Sequence, residues 1–140
     1  MNLTKPAKQV EAPPFASDLT PEDKKTLDSI RAAIMQADPM VDERLGKHMQ
    51  HKKVLLYEQE GVFKYSLIRT KLYFTFRSAV MYAHPELRRE LAETTSFFKV
   101  QKGCINFTSL RDFPLDTFSQ WMHRTAAIAF MPAATADLSY

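Results

Sequence analysis

Four carboxylates are the first candidates for chemistry in this sequence. Asp42 and Glu43 follow the first predicted helix, and Glu58 and Glu60 lie in the first predicted turn of a sheet. Carboxylate oxygens are the ligands that hard metal ions, and iron among them, find in proteins. The sequence therefore offers these four residues as candidate metal ligands, with iron as the candidate ion. Lys and Arg neighbours dilute both acidic groups, so a solvated acidic edge is the alternative.

A second candidate site combines basic and aromatic side chains and would bind an anion or a small ligand. Its basic part is a polar turn that precedes a short strand, and its aromatic part belongs to the stretch Lys71–Ala83. Backbone N–H groups of a turn, together with lysines, suit an anion. An ordinary polar turn with its glycine at positive φ is the alternative. The candidate residues are Tyr73, Arg77, Tyr82, Lys99, Lys102 and Gly103.

No motif for catalysis accompanies the reactive side chains. Cys104 is the only thiol, and His84 or His123 is the candidate base beside it. His48 and His51 are spaced to share a helix face, but a zinc site needs four ligands, or three and a water. A phosphate-binding loop needs several glycines close together, and the chain has only three, which are far apart. We therefore predict a protein that is not an enzyme.

The charge of the chain permits contact with polyanions without demanding it. The net charge is +3, the sequence pI is about 9.0 and residues 44–53 are the most basic window. An alternative function is thus weak anion or nucleic-acid binding through Lys52, Lys53, Lys99 and Lys102, with Tyr57, Tyr65 or Tyr73 stacking on bases. Aromatic residues on strands more often pack in a core, which makes nucleic acid the less favoured ligand.

The hydrophobic pattern predicts an α+β protein. A helix is expected between Thr20 and Asp38, and another from Pro114 to Met131, each with one apolar stripe. Strands are expected at 54–57 and 62–68, in the alternating stretch that begins at Lys71, around Val80 and Tyr82, and at 104–107; a short helix is expected at 85–92. The result is a two-layer sandwich, in which the N- and C-terminal helices pack on one face of an antiparallel sheet of about five strands.

Leu72, Phe74 and Phe76 should form the face of the sheet that the helices cover. Residues 1–18 are expected to be a mobile arm, residues 19–131 a single domain and residues 132–140 a frayed tail. One thiol, no apolar leader and no membrane-length apolar run predict a cytoplasmic protein. An exposed strand edge permits a homodimer.

Several stretches between Tyr82 and Met122 carry a resemblance to a known family. They are YAHPELRRELAE, FFKVQKGCINF and FPLDTFSQWM. In this order they resemble the YdhG-like family, domain of unknown function 1801, over about residues 20–128. The resemblance implies a frataxin-like fold and, for some bacterial members, a role as an intracellular iron chaperone. Iron-cluster assembly or haem-synthesis proteins would then be the partners.

Overall fold

Helix α1 (Pro21–Ala37) opens the part of the chain that the computed structural model describes, which comprises residues 19–48, 51–70, 73–94, 99–109 and 114–130. Thr20 caps the helix, because its Oγ1 accepts a hydrogen bond from the backbone N–H of Asp23 at 3.1 Å. Pro21 occupies the first turn, where its missing N–H is not needed. Asp38 ends the helix before Pro39, as predicted.

Six antiparallel strands form one sheet in the order β1-β2-β3-β4-β6-β5. The strands are β1 (Asp42–His48), β2 (His51–Gln59), β3 (Val62–Arg69), β4 (Phe74–Ser78), β5 (Lys99–Val100) and β6 (Cys104–Phe107). Strands β1 to β4 form a meander, and β6 lies between β4 and the two-residue β5. The predicted α+β sandwich is therefore confirmed, although β1 and β5 were not predicted.

Three further helices complete the fold: α2 (Ala79–Ala83), α3 (Pro85–Thr94) and α4 (Leu115–Ala127). The predicted strand around Val80 and Tyr82 is wrong, since the Oγ of Ser78 accepts a hydrogen bond from the N–H of Met81 and starts a helix there. Helix α4 ends four residues before the predicted Met131, because the backbone is extended at Ile128. No helix within the described residues combines the length and the apolar character needed to cross a membrane.

All helices contribute to a single core on one face of the sheet. The sheet residues in this core share that face: Leu55, Tyr57, Tyr65, Leu67, Phe74, Phe76, Ile105 and Phe107. Phe76 meets the rings of Phe118 and Trp121 of α4 edge-on, with centroids 5.3 and 6.3 Å away. The predicted role of Phe74 and Phe76 as the helix-covered face is thus confirmed, while Leu72 lies outside the described residues, as do the predicted arm at 1–18 and tail at 132–140.

The opposite face of the sheet contributes no residue to this core. The strand register places one row of residues across it: Arg44, Leu56, Ser66, Arg77 and Cys104. Leu56 lies under Arg44, since a Cβ added at Gly46 would meet the Cδ1 of Leu56 at 2.6 Å and the Nη1 of Arg44 at 2.8 Å. We call this surface the second face.

The β2–β3 hairpin turns on two residues of positive φ, Glu60 at 54° and Gly61 at 79°. Positive φ at both central positions is the requirement of a type I′ turn, whose twist matches that of the strands. Glycine adopts this conformation freely, whereas a residue with a Cβ is strained by about 1–2 kcal/mol. Glu60 is therefore a strained residue in an otherwise regular hairpin.

Replacing Glu60→Asn should raise the free energy of unfolding by up to about 1 kcal/mol, because Asn tolerates the left-handed region. Gly61→Ala should lower it by about 1 kcal/mol. Urea unfolding measures both changes. Glu60→Ala is the control, because it removes the same charge but alanine does not tolerate the left-handed region as asparagine does. If Glu60→Ala raised the free energy of unfolding as much as Glu60→Asn, the charge and not φ would be responsible.

Candidate functional site

The four carboxylates predicted to bind a metal lie in three different places. Glu43 is on the helix-covered face, where its Cα partner is Tyr57. Asp42 and Glu58 are Cα partners of each other on the second face, and Glu60 lies in the β2–β3 turn. Alternation along β1 separates Asp42 from Glu43, because successive side chains of a strand point to opposite faces. The fold therefore does not gather the four carboxylates into one site.

Glu43 is the centre of a buried ion pair. Arg31 of α1 donates two hydrogen bonds to its carboxylate, from Nε at 3.0 Å and from Nη2 at 2.7 Å. The hydroxyl of Tyr57 donates a third at 2.5 Å. The guanidinium of Arg31 turns inward from α1, because Glu43 offers it a matching pair of oxygens below the helix. Glu43 is thus a structural acceptor rather than an open ligand.

Asp38 forms a second buried network at the end of α1. Its Oδ2 lies 2.7 Å from the Nζ of Lys64 and accepts a hydrogen bond of 2.7 Å from the hydroxyl of Tyr65. Lys64 and Tyr65 reach the same carboxylate although they are adjacent on β3, since a β-bulge at this point leaves Lys64 without a partner residue on β2. Sequence reasoning assigned Asp38 only to the helix end and missed this network.

The two networks lie side by side, because Tyr57 and Tyr65 are Cα partners on β2 and β3. Burial, reinforced by the neighbouring Glu43, raises the pKa of Tyr57 well above its usual value, and burial with Asp38 does the same to the pKa of Tyr65. The hydrogen bond to Glu43 raises the pKa of Arg31. Both tyrosines are therefore held as neutral donors, and both carboxylates have their charge balanced inside the protein.

Glu58 is also paired with a cation. Arg44 donates to its two oxygens at 2.9 and 2.8 Å, and this fork lies on the second face. Within the described residues there is no group of three or more His, Cys, Asp or Glu side chains that could hold a metal ion. Arginine partners on Glu43 and Glu58 occupy the oxygens that iron would need, so iron binding by these residues remains a prediction that the geometry does not favour.

The anion candidates divide into two groups along β4. Tyr73 precedes the first residue of β4, whereas Arg77 lies near the other end of that strand. At 3.3 Å per residue, the Cα atoms of Tyr73 and Arg77 are about 13 Å apart. Lys99 is the Cα partner of Asn106, nearer the Tyr73 end of the sheet. Tyr73 and Lys99 are therefore not brought together with the other candidates.

Arg77, Lys102 and Gly103 do meet at one end of the sheet. The N–H of Ser78 donates to the carbonyl of Gly103 at 2.9 Å, and Arg77 is the Cα partner of Cys104. Tyr82 is on α2, which begins directly after Ser78. Among the described glycines only Gly61 has a positive φ, so the alternative of a turn with Gly103 at positive φ is wrong.

Arg77 has an unusual environment for a charged side chain. It is partly buried on the second face, between its Cα partners Ser66 on β3 and Cys104 on β6. Its side chain makes no hydrogen bond and no ion pair with any residue that the structure describes. Every other arginine discussed above donates to a carboxylate, so Arg77 stands apart as a cation available to a ligand.

Arg88 of α3 joins this group and was missed in the sequence. Its Nη1 donates to the carbonyl of Lys102 at 3.2 Å. The helical period places Leu87 and Leu91 in the core and leaves Arg88 at the flank of the helix, but nothing in that period indicates that the turn before β6 would lie beside it. The Cα partnerships of β4 and β6 create this proximity. We name Arg77, Arg88 and Lys102 the basic cluster.

The remaining candidates have other roles or placements. His48 and His51 are Cα partners across the β1–β2 hairpin, not neighbours on a helix as proposed. Tyr57 and Tyr65 are fully buried and cannot stack on bases. Lys52 and Lys53 begin β2, at the end of the sheet opposite Lys102. Cys104 is buried, with its Sγ 3.0 Å from the Oε1 of Gln101.

No family model, no curated protein and no solved structure matches this chain. The resemblance to the YdhG-like family therefore stays a prediction.

The raised pKa values of Tyr57 and Tyr65 predict alkaline unfolding. A folded-state pKa above the unfolded value of 10.0 adds stability below that pH, and this stability is lost as the pH rises further. In an alkaline titration, tyrosinate absorbance from these two residues should appear together with the loss of near-UV circular dichroism. The double variant Tyr57→Phe/Tyr65→Phe should lack that part of the absorbance change; an unchanged amplitude would contradict the assignment.

The two arginine–glutamate pairs predict very different costs of truncation. Arg31→Leu should lower the free energy of unfolding by about 3–5 kcal/mol, because it leaves the Glu43 carboxylate buried without its cation. Arg44→Leu breaks a pair at the surface and should cost below about 1 kcal/mol. Urea unfolding of both variants compares them directly, and equal losses would mean that burial of Glu43 does not control the energy of its pair.

Proposed function

We propose that the protein is an anion-binding module without catalytic activity, and that Arg77 on the second face takes the charge of the ligand. One observation carries the proposal: the side chain of Arg77 is partly buried and has no hydrogen-bonding or ionic partner within the described residues. Its guanidinium therefore has no counter-charge there and is open to a charge-assisted hydrogen bond. A bound anion would supply that counter-charge, and the guanidinium presents the fork of donors that phosphate and carboxylate groups accept.

A neighbour of Arg77 suits the same ligand. Lys102 is exposed in the turn adjacent to Arg77 and adds a second positive charge. An anion held by one arginine and one lysine would have charge-assisted hydrogen bonds, which are the strongest class available to a surface site.

The same geometry favours anion binding over the iron-chaperone role that the family resemblance implies. Iron would need open carboxylates, yet the charges of Glu43 and Glu58 are balanced by Arg31 and Arg44. The iron role, with its assembly partners, would therefore require these pairs to break first. Catalysis has less support still, because the thiol of Cys104 donates to Gln101 and the ring of His84 lies 3.2 Å from the carboxylate of Glu86.

Titration calorimetry with inorganic phosphate and pyrophosphate at low salt tests the proposal. Removing one charge-assisted hydrogen-bonding group typically costs about 1.5–3 kcal/mol, so Arg77→Ala should weaken binding about 10- to 100-fold. Arg89→Ala is the matched control, because Arg89 is exposed on α3 and should leave the affinity unchanged. Thermal unfolding of both variants checks that they fold.

Two results would reject the proposal. The wild-type protein would show no heat with either anion, or Arg77→Ala and Arg89→Ala would bind equally well.

A further inference from the structure

We infer that the ligand is an extended chain of phosphates rather than a single small anion, an inference that rests on the proposed function. The three members of the basic cluster belong to three different elements: Arg77 to β4, Lys102 to the turn before β6, and Arg88 to α3. All three lie at the same end of the sheet. Arg77 is on the second face, Lys102 is in the turn and Arg88 is on the side of the helices.

Arg77 approaches from the second face. Its position there follows from its Cα partners Ser66 and Cys104, which flank it in the row opposite the core. Lys102 lies at the tip, since Gly103 is fixed to Ser78 by a backbone hydrogen bond of 2.9 Å and Lys102 precedes it in the exposed part of the turn.

Arg88 approaches from the side of the helices. Helix α3 is anchored there by Leu87 and Leu91, which belong to the core, and by the indole N–H of Trp121, which donates to the carbonyl of Leu87 at 3.1 Å. The guanidinium of Arg88 reaches the backbone carbonyl of Lys102 at 3.2 Å. A carbonyl orients the guanidinium but does not neutralise its charge, so Arg88 still attracts an anion.

Acidic side chains near the cluster are engaged elsewhere or lie away from it. On α3 itself, Glu90 pairs with Arg124 of α4 and Glu86 lies beside His84. The other carboxylates at this end of the sheet, Asp42, Glu58 and Glu60, belong to β1, β2 and the turn after β2. These carboxylates lie on the β1–β2 side of the sheet, whereas the three cations lie on the side formed by β4, β6 and α3, where we expect the polyanion.

The placement of Arg77 and Arg88 on opposite faces of the sheet indicates the class of ligand. Arg77 lies on the second face, whereas Arg88 belongs to a helix packed on the opposite face, so we expect the two cations to contact different phosphates of one ligand. A linear chain of phosphates can pass over Lys102 and meet all three cations. A polyphosphate chain and a single-stranded nucleic acid share this chemistry, and the burial of Tyr57 and Tyr65 means that recognition would be of the phosphates and not of the bases.

Fluorescence anisotropy of labelled oligothymidylate, together with competition by inorganic polyphosphate and by inorganic phosphate, tests the inference. Three contacted phosphates on a single strand predict that log K falls against log salt concentration with a slope of about −2, from roughly 0.7 per contact. Each of Arg77→Ala, Arg88→Ala and Lys102→Ala should reduce the magnitude of that slope by about 0.7, and Arg89→Ala should not change it.

The possible results distinguish the extended phosphate ligand from the anion site at Arg77 on which it rests. Binding of oligothymidylate or of polyphosphate with these slopes supports the inference, and the tighter of the two identifies the source of the phosphates. Inorganic phosphate binding as tightly as either chain, with Arg77→Ala harmful and Arg88→Ala harmless, would overturn the extended ligand and leave the anion site at Arg77. Absence of binding to all three probes would overturn both.

Discussion

The attachment of α1 to one face of the sheet is the constraint on which the rest of the structure depends. Three ion pairs hold the helix at its start, middle and end: Asp23 with Arg69 at 3.1 Å, Arg31 with Glu43 at 2.7 Å, and Asp38 with Lys64 at 2.7 Å. The start of α1 lies over the end of β3 and its end lies over the beginning of β3, so helix and strand run in opposite directions. Between the pairs, Leu27, Ile30 and Ile34 pack into the core. Apolar burial drives this contact, and the ion pairs determine its register.

This arrangement has an electrostatic consequence, because it turns carboxylates inward. Asp38 and Glu43 are buried, and each is satisfied by a cation and a tyrosine hydroxyl. Buried carboxylates with such partners add specificity to the fold but are removed from the surface as possible metal ligands. The network at β3 reaches further still: Lys64 lies under the ring of Phe130, 5.1 Å from its centroid, which holds the extended segment after α4 against the sheet.

Sequence periodicity predicted the elements with a strong apolar face and failed where charge or a short span decided the structure. The stripe of α1 and the alternation of β3 and β4 were sufficient because each repeats over many residues. Strand β1 was missed, since DERLGKH has charged residues on both faces, and its inward Glu43 is tolerated only because Arg31 lies above it. Helix α2 is too short for its period to be distinguished from a strand. Long-range pairing decided the site: Arg77 and Lys102 were named from the sequence, but Arg88 joins them only through the order β4-β6-β5.

The contrast between the two faces of the sheet is what makes Arg77 informative. On the helix-covered face, Arg31, Lys64 and Arg69 each have a carboxylate within 3.1 Å, so this fold provides partners for the cations that it buries. Arg44 on the second face has Glu58. Arg77 shares that face and is partly buried. Its Cα partners are Ser66 and Cys104, and these neutral side chains do not balance its charge. The anion that we propose as the ligand would supply the counter-charge that the described residues do not provide for Arg77.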